Sequence, residues 1–322
     1  MTALAEHKTS YLEANQDWLK FVTKMSDSTG DAYGPIWVAN AKDNRQLVNE
    51  CGWITEEQDA YDGKTAVLCG ASPAINKQLD TLSNLSQDPD FVFIGLTSGL
   101  KILLDNHIQP KYCMMMDGQI AQERFWEGMD LDKTKDITMI ASVCAPHELL
   151  KRWKGKLKFL AVYSQYGNLH KKIQKWYKPI NGCGIYFHAL LSQYNTSAAV
   201  AYLIFGTRIL IFVGNELSFP SQESPYYADG RKDEKDGWYR GKHPDIYGNV
   251  VYTNHMLFSL KLGLEDYLGK LPGFFFNCTE SGIFGVSARY GNVPWIQQLK
   301  LNMGIAQAKS IMRTGQPLYL VH

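Results

Sequence analysis

The 322-residue sequence predicts an α/β fold, a doubly wound, mostly parallel sheet with helices on both faces. Three observations lead to this prediction. Short apolar runs recur along the chain between Gly, Asp and Asn residues, as is typical of buried parallel strands. Segments with a helical spacing of apolar residues separate these runs. The repeated alternation of strand and helix favours right-handed crossovers within one sheet.

The first strand and the turn after it are the centre of the prediction. Ala66–Cys69 is an apolar run that ends at Gly70, and Ser72 precedes Pro73, as an N-cap residue precedes the first residue of a helix. We expect this helix to continue to about Leu82. A strand, a glycine turn and a capped helix direct backbone N–H groups at one point, which favours an anion such as a phosphate. An ordinary strand–helix junction would show the same residues.

Polar residues follow several of the predicted strands, at the edge where open α/β sheets bind ligands. The other predicted strands are 91–94, 112–116, 137–143, 157–162, 209–213 and 274–276, and the other predicted helices are 98–106, 147–153, 195–205, 255–268 and 294–313. The candidate binding residues at strand ends and helix starts are Thr97, Ser98, Asp117, Asn195, Thr196, Ser197, Gly214 and Glu216. A loop aspartate that caps the next helix is an equal alternative for Asp117.

The chain divides into a helical accessory segment, residues 1–62, and a main domain, residues 63–322. The accessory segment begins with an amphipathic helix around residues 11–22. Residues 217–254 are too long, polar and rich in Pro and Gly for a plain connection, and they predict a lid-like insertion. Tyr226 and Tyr227 in this insertion could cover a base or a sugar. Partial disorder is the alternative for the charged run 231–236, and a C-terminal helix, 294–313, closes the fold.

Composition excludes several classes of function. A formal net charge of +1 gives no electrostatic basis for binding nucleic acid or a membrane surface. No apolar run has the length needed to span a bilayer, and the N-terminus has no signal-peptide pattern. The six cysteines are scattered without a CxxC pair, which favours free thiols in a reducing compartment over disulfides or a metal site. We therefore expect a cytoplasmic protein.

Five motifs occur in an order that resembles a known family. They are GASPAI after the first strand, MMMDG, NTSAAVAYLIFG followed by TRILIFVGNELSF, a Tyr-Tyr pair, and NCTESG. Together they resemble the MptE-like 6-hydroxymethylpterin pyrophosphokinases and the motility accessory factor proteins that glycosylate flagellin. They are more distantly similar to the Campylobacter-type bacterial sialyltransferases. The resemblance covers roughly Lys64 to Gly282 and implies a Rossmann-like domain that binds a nucleotide.

The resemblance also implies roles for individual residues. The first turn of the family reads Gly-Asn-Gly-Pro-Ser-Leu or similar, whereas this chain has Ala71, Ser72 and Ala74 at three of those positions. It therefore lacks one amide and one hydroxyl that would contact the nucleotide. By the same resemblance, Thr196-Ser197 lies at the donor phosphate and sugar, Glu216 replaces an aspartate, and Tyr226 or Tyr227 lies at the leaving phosphate.

His255 carries the mechanism that the resemblance implies. In the similar sialyltransferases a histidine just before a helix acts as base on the acceptor hydroxyl, and His255 precedes Gly263-Leu264-Glu265-Asp266-Tyr267-Leu268 at a matching spacing. Histidine suits this role because its ordinary pKa is about 6.5. The alternative is a surface histidine or one that caps the helix.

Three functions are compatible with these residues. The first is a glycosyltransferase that moves a sugar, such as a nonulosonic or sialic acid, from a CMP-activated donor to an acceptor hydroxyl without a metal. The second is an ATP-dependent pyrophosphokinase, whose Mg²⁺ would be held by Asp117 and Glu216. The third is a non-catalytic module that binds a nucleotide or a glycan. The expected partners are a nucleotide or nucleotide sugar and an unidentified acceptor, and homo-oligomerisation is left open.

Overall fold

The computed structural model describes residues 32–163, 172–173, 176–177, 184–186, 192–231, 240–287 and 291–318. The predicted helix at 11–22 and most of the charged run 231–236 lie outside these residues. The strands are β1 Thr65–Cys69, β2 Phe91–Leu96, β3 Tyr112–Met115, β4 Thr138–Ser142, β5 Leu157–Tyr163, β6 Gly184–Tyr186, β7 Ile209–Val213, β8 Gly241–Pro244, β9 Val250–Thr253, β10 Phe274–Asn277, β11 Val286–Ser287, β12 Gly291–Asn292 and β13 Gln297–Gln298.

Eight α-helices lie within the described residues, and most of them connect strands. They are α1 over residues 32–43, α2 Arg45–Cys51, α3 Leu79–Leu85, α4 Thr97–Asp105, α5 His147–Arg152, α6 Gln193–Ala199, α7 His255–Gly269 and α8 Leu301–Thr314. Short 3₁₀ helices span Ile54–Glu57, Pro73–Lys77, Ile120–Trp126 and Leu131–Thr134, and a π-helical turn, Val200–Ile204, extends α6.

Nine strands form one sheet in the order β13-β10-β7-β1-β2-β3-β4-β5-β6, and each neighbouring pair is parallel. The central strand β1 pairs with β2 on one side, and on the other side Thr65 pairs with Ile209 of β7. Strands β2 to β6 follow β1 on one side of the sheet, and β7, β10 and β13 follow on the other side. The order of the strands therefore reverses between β1 and β7, although the strands themselves stay parallel. In open α/β sheets the ligand-binding crevice lies at the carboxyl edge beside such a topological switch point. The predicted α/β fold is confirmed.

Apolar cores cover both faces of the sheet, because successive residues of a strand point to opposite sides. Ala66 and Leu68 of β1 belong to a cluster that contains buried residues of α6 and α7. Val67 and Cys69 belong to a second cluster, formed with residues of α3, α4 and α8, and a third cluster packs α5 against β3 and β4. Continuous burial of β1, β2 and β7 explains why these strands read as unbroken apolar runs.

The segment before β1 packs against the sheet through two asparagine side chains. The Asn40 amide donates to the carbonyl of Gly118 (2.8 Å), and the Asn44 amide donates to the carbonyls of Val143 (3.0 Å) and Ala145 (2.8 Å). These carbonyls follow β3 and β4. Helix α1 therefore covers the carboxyl ends of those two strands and leaves the switch point to its side.

Two predicted helices have different boundaries in the structure. The predicted helix after Pro73 is a 3₁₀ helix, Pro73–Lys77, followed by the separate helix α3. Gln78 lies between the two helices, and its side-chain amide donates to the Cys278 carbonyl (2.5 Å). The C-terminal helix begins at Leu301 rather than residue 294. Residues 297–298 instead pair with β10 as β13, and the Glu280 carboxylate accepts the Leu301 N–H (2.9 Å).

Helix α7 carries an ion pair that is fully buried. Lys261 Nζ lies 2.8 Å from Glu265 Oε2, and the two side chains are 1% and 0% exposed. The other carboxylate oxygen, Oε1, accepts the Gly285 N–H at 2.7 Å. A buried charge requires such partners, because its transfer from water into the protein interior is costly.

The structure describes five of the six cysteines. Cys51, Cys69, Cys113, Cys144 and Cys278 are free thiols. Burial raises the pKa of Cys69, Cys113 and Cys278, and raises that of Cys144 to about 12. In the part of the chain that the structure describes, every helix is too short or too polar to cross a bilayer.

Candidate functional site

The turns after β1 and β7 touch each other at the switch point. The Gly70 N–H donates to the Val213 carbonyl (2.9 Å), and the Ser72 N–H donates to the Gly214 carbonyl (3.1 Å). A Cβ on Gly70 would lie 2.1 Å from the Gly214 oxygen, and Gly214 itself has φ +61°. Glycine is therefore required at both positions, for close approach at one and for its backbone conformation at the other.

Glu216 fills the helix start that the sequence predicts for a phosphate. Its Oε2 accepts the Ala74 N–H (2.8 Å), its Oε1 accepts the Ser281 hydroxyl (2.8 Å), and its own N–H donates to Ser72 Oγ (3.2 Å). The side chain is 3% exposed. The prediction that this turn offers unpaired N–H groups to a phosphate is wrong for the turn as it stands, since the protein supplies its own anion there.

Glu216→Ala is expected to lower the free energy of unfolding by about 2–4 kcal/mol, because it removes two hydrogen bonds to a buried carboxylate and leaves their donors unpaired. Glu216→Gln is the matched control. Its amide oxygen still accepts from Ala74, and its amide nitrogen can donate to Ser281, so it should lose less than half as much. Urea denaturation measures both. Equal stability of all three proteins would contradict this account of the turn.

The first turn of α6 lies at the same edge. The Tyr194 hydroxyl donates to the Leu68 carbonyl of β1 (2.9 Å), and burial raises the pKa of this tyrosine. Gln193 Oε1 accepts the Thr97 hydroxyl at the start of α4 (3.0 Å). The starts of α4 and α6 therefore converge with the turns after β1 and β7, as the sequence predicts for one rim of the sheet.

The hydroxyl pair of α6 serves the helix itself. The Thr196 hydroxyl donates to the Ser192 carbonyl (2.8 Å) and the Ser197 hydroxyl to the Tyr194 carbonyl (2.7 Å), and both residues are fully buried. The Asn195 amide donates to the Leu260 carbonyl of α7 (3.1 Å). The prediction that these side chains point at a donor phosphate therefore needs correction. Serine and threonine in helices commonly bond back to the preceding turn.

Tyr226 and Tyr227 lie over the edge of the sheet and contact both faces. Their ring centroids are 5.2 Å apart. Tyr226 contacts Phe219 at 5.5 Å and packs against the cluster of α6 and α7, whereas Tyr227 contacts Phe125 at 5.4 Å and packs against the cluster of α5. Both rings are half-buried. The pair is therefore in place to border the crevice.

Arg231 lies beside this tyrosine pair, and sequence reasoning missed it. Its guanidinium lies 4.9 Å from the Phe125 centroid and 5.7 Å from that of Tyr227, and it donates to the carbonyls of Arg124 (2.8 Å) and Ser98 (3.4 Å). Burial opposes ionisation of its neighbour Asp229, but the hydrogen bonds from Arg231 outweigh that effect and lower the aspartate's pKa. The sequence shows only a charged run here, because these contacts join distant segments.

The segment before Arg231 is also joined to the turn after β1. The Ala228 N–H donates to the Ala71 carbonyl (2.8 Å), and the Asn76 amide donates to the Ala228 carbonyl (2.9 Å). At the other end of the insertion Phe219 pairs with Tyr252 next to the β8–β9 hairpin. The described residues of the insertion therefore lie against the carboxyl edge, while its opening and closing remain a prediction.

Asp117 and Glu216 do not fit a shared Mg²⁺ ion. Asp117 follows β3 and Glu216 follows β7, and β1 and β2 lie between those strands. The strands that precede the two residues lie three strand spacings apart, about 14 Å, whereas Mg²⁺ binds oxygen ligands at about 2.1 Å. Asp117 Oδ1 accepts the Gln119 N–H (3.1 Å), a local bond in the loop before the 3₁₀ helix Ile120–Trp126, so Asp117 is not the residue that caps that helix. Among described residues, no group of three or more His, Cys, Asp or Glu is arranged around a common point for a metal.

His255 is the first residue of α7 and is exposed. The preceding residue, Asn254, caps the helix through its side-chain oxygen, which accepts the Leu257 N–H (2.9 Å). The Thr253 hydroxyl donates to the Leu217 carbonyl (2.9 Å), three residues beyond Gly214 in the turn after β7. This contact places the start of α7 on the carboxyl side of the sheet. Because Asn254 performs the capping, His255 is not the residue that caps α7.

Comparison with known proteins decides the family. A family model described as 6-hydroxymethylpterin diphosphokinase MptE-like matches residues 37–222, more than half of the sequence. The chain belongs to the MptE-like family. The resemblance found in the motifs of this MptE-like protein is thereby confirmed.

A solved structure shares the fold of this MptE-like chain. It is a MAf glycosyltransferase from Magnetospirillum magneticum AMB-1, with a TM-score of 0.53 and 15% sequence identity. The match covers 83% of this chain and 43% of that protein, so the MptE-like chain corresponds to less than half of its neighbour's length. At this identity the likeness shows the fold alone. No curated protein sequence matches the chain.

Proposed function

We propose that this MptE-like protein is a glycosyltransferase that uses a nucleotide-activated sugar, most simply a CMP-linked nonulosonic acid. The observation that carries the proposal is the arrangement of the carboxyl edge at the switch point, where the turns after β1 and β7 and the starts of α4 and α6 converge beside a tyrosine pair. Nucleotides bind at such a position in other doubly wound sheets. The shared fold of the MAf glycosyltransferase supports the same choice.

In this proposal the nucleotide lies over the carboxyl ends of β1 and β2. The half-buried residues Ser98, Asp117, Tyr226 and Tyr227 border it, and the turn of Gly70, Ser72 and Pro73 forms its floor. The floor is rigid because Glu216 binds it from below. Thr97, Asn195, Thr196, Ser197 and Gly214 then act by shaping the crevice, since the structure buries them in contacts within the protein.

The proposed reaction is a single displacement at the anomeric carbon of the sugar. The acceptor hydroxyl oxygen forms the new bond to that carbon, the bond from the carbon to the CMP phosphate oxygen breaks, and His255 takes the hydroxyl proton. CMP leaves as an anion. Hydroxyls of Tyr226 or Tyr227 donate to that phosphate, and the guanidinium of Arg231, beside the Tyr227 ring, adds a positive charge nearby.

Thermal denaturation with CMP, CDP, UDP, GDP or ATP, each with and without Mg²⁺, tests the choice of nucleotide. We expect CMP at about 100 times its Kd to add about 2.7 kcal/mol to the free energy of unfolding, and to raise the melting temperature by several degrees in the presence of EDTA. Tyr226→Phe with Tyr227→Phe should reduce the CMP shift, which is measured against the melting temperature of the same variant without nucleotide.

Other outcomes of the panel would contradict the proposal. A shift with ATP that requires Mg²⁺ would favour the diphosphokinase named in the family description. The distance between Asp117 and Glu216 argues against that reading, because the two carboxylates it needs lie three strands apart. A lack of response to all five nucleotides would favour a module that binds glycans without catalysis.

A further inference from the structure

A cavity of about 700 Å³ lies at the amino edge of the sheet, opposite the switch point. Its lining includes Lys111, just before β3, Thr138, the first residue of β4, and Lys156, just before β5. Tyr61, which precedes β1, closes one side. The volume is within the range of about 300–1,000 Å³ that small-molecule sites occupy in proteins. The cavity is therefore large enough for a metabolite.

The charged groups around this cavity are mostly positive. Lys111, Lys156 and Lys158 line it together with one carboxylate, Glu57. Lys158 is paired with Glu56 at 2.6 Å. The ammonium groups of Lys111 and Lys156 have no hydrogen-bond or ion-pair partner among the residues that the structure describes. Both lysines are exposed, and an anion bound at this concave surface would be attracted by both positive charges.

A pair of hydrogen-bonded tyrosine hydroxyls adds one directional donor to this surface. The hydroxyls of Tyr61 and Tyr112 lie 3.0 Å apart, and both residues line the cavity. Burial, followed by the bond to Tyr61 and the nearness of Glu57, raises the pKa of Tyr112, so this hydroxyl keeps its proton. Lysine ammonium and tyrosine hydroxyl groups together are suitable donors for phosphate oxygens.

We propose that the amino-edge cavity binds a small anion with two or more negative charges, such as a diphosphate, independently of the nucleotide crevice at the carboxyl edge. Lys111 and Lys156 supply the charge, and the Tyr61–Tyr112 pair supplies one hydroxyl donor, because the other O–H is used in the bond between the two tyrosines. The diphosphate can come from an inorganic ion or from a phosphate ester. The common chemistry is a compact, multiply charged anion.

Calorimetric titration with inorganic pyrophosphate, at low ionic strength and with EDTA, tests this proposal. The wild type should bind one equivalent, and Lys111→Glu/Lys156→Glu should weaken binding by about tenfold or more. The matched control is Lys42→Glu/Lys300→Glu, which changes the net charge equally at two exposed lysines outside the cavity lining and should bind nearly as the wild type does. Lys111→Arg/Lys156→Arg, which keeps the charge, should retain binding.

Three results would overturn the proposal. They are no heat of binding in the wild type, equal weakening in the cavity and control variants, and loss of pyrophosphate binding when CMP is added. Melting temperatures of the variants show whether each one folds. A repeat titration with a nucleoside diphosphate in place of pyrophosphate distinguishes the two sources of the anion.

Discussion

His255→Ala lowers turnover by about 10² to 10⁴-fold and leaves the affinity for CMP within roughly twofold of the wild type. This result is expected because the proposed base acts on the acceptor hydroxyl and has no role in holding the nucleotide. Turnover is measured as CMP release from a CMP-linked nonulosonic acid, with a sugar hydroxyl as acceptor. CMP affinity is measured separately by calorimetry.

The control for this variant is His107→Asn. His107 is also exposed, but it follows α4, where the chain returns to the amino end of β3, and its φ of +58° is one that asparagine tolerates. It should keep full turnover. Unchanged turnover in His255→Ala would remove this histidine from the mechanism. A loss of both turnover and CMP affinity would indicate that the start of α7 shapes the nucleotide site instead.

Lys261→Met lowers the free energy of unfolding by about 3–5 kcal/mol, because it leaves the Glu265 carboxylate buried with one partner removed. The methionine side chain keeps most of the lysine's volume, so lost packing contributes little. Chemical denaturation measures the change.

The double variant Lys261→Met/Glu265→Gln separates the effect of the buried charge on stability from the effect of side-chain shape. The glutamine oxygen still accepts the Gly285 N–H, and no buried charge remains. Such replacements of a buried ion pair by neutral groups are often nearly neutral in stability. The double variant should therefore be more stable than Lys261→Met alone. If the double variant is less stable than Lys261→Met, the ion pair stabilises the fold by more than the neutralisation of its two buried charges.

The parts of the fold that the sequence predicts are those with a strong local signal. Strands β1, β2 and β7 are buried along their whole length, and burial on both faces makes each one an unbroken apolar run. Of the strands that were not predicted, β11, β12 and β13 have two residues each, too few for any periodic pattern. Helices α1 and α2 lie in the predicted helical segment 1–62, but their bounds were not predicted, because polar residues such as Asn40 and Asn44, which bond strand-end carbonyls, interrupt the apolar pattern.

The candidate site was predictable in position but not in its contacts. Strand ends and helix starts indicate where Gly70, Thr97 and Glu216 gather, because parallel strands share one carboxyl edge. The partner of Glu216 is the amide of Ala74, 142 residues earlier in the chain, and no local pattern reports such a pairing. Thr196 illustrates the same limit, since a hydroxyl at a helix start can serve a ligand or its own helix equally well.

The pairing of β1 with β7 has a consequence for synthesis of the protein. The register joins Thr65 to Ile209, so the edge of the central strand stays open until β7 has left the ribosome. An unpaired strand edge is prone to join other chains. Fragments that end before Ile209 should therefore aggregate, and a nascent chain of that length is a natural client for chaperones.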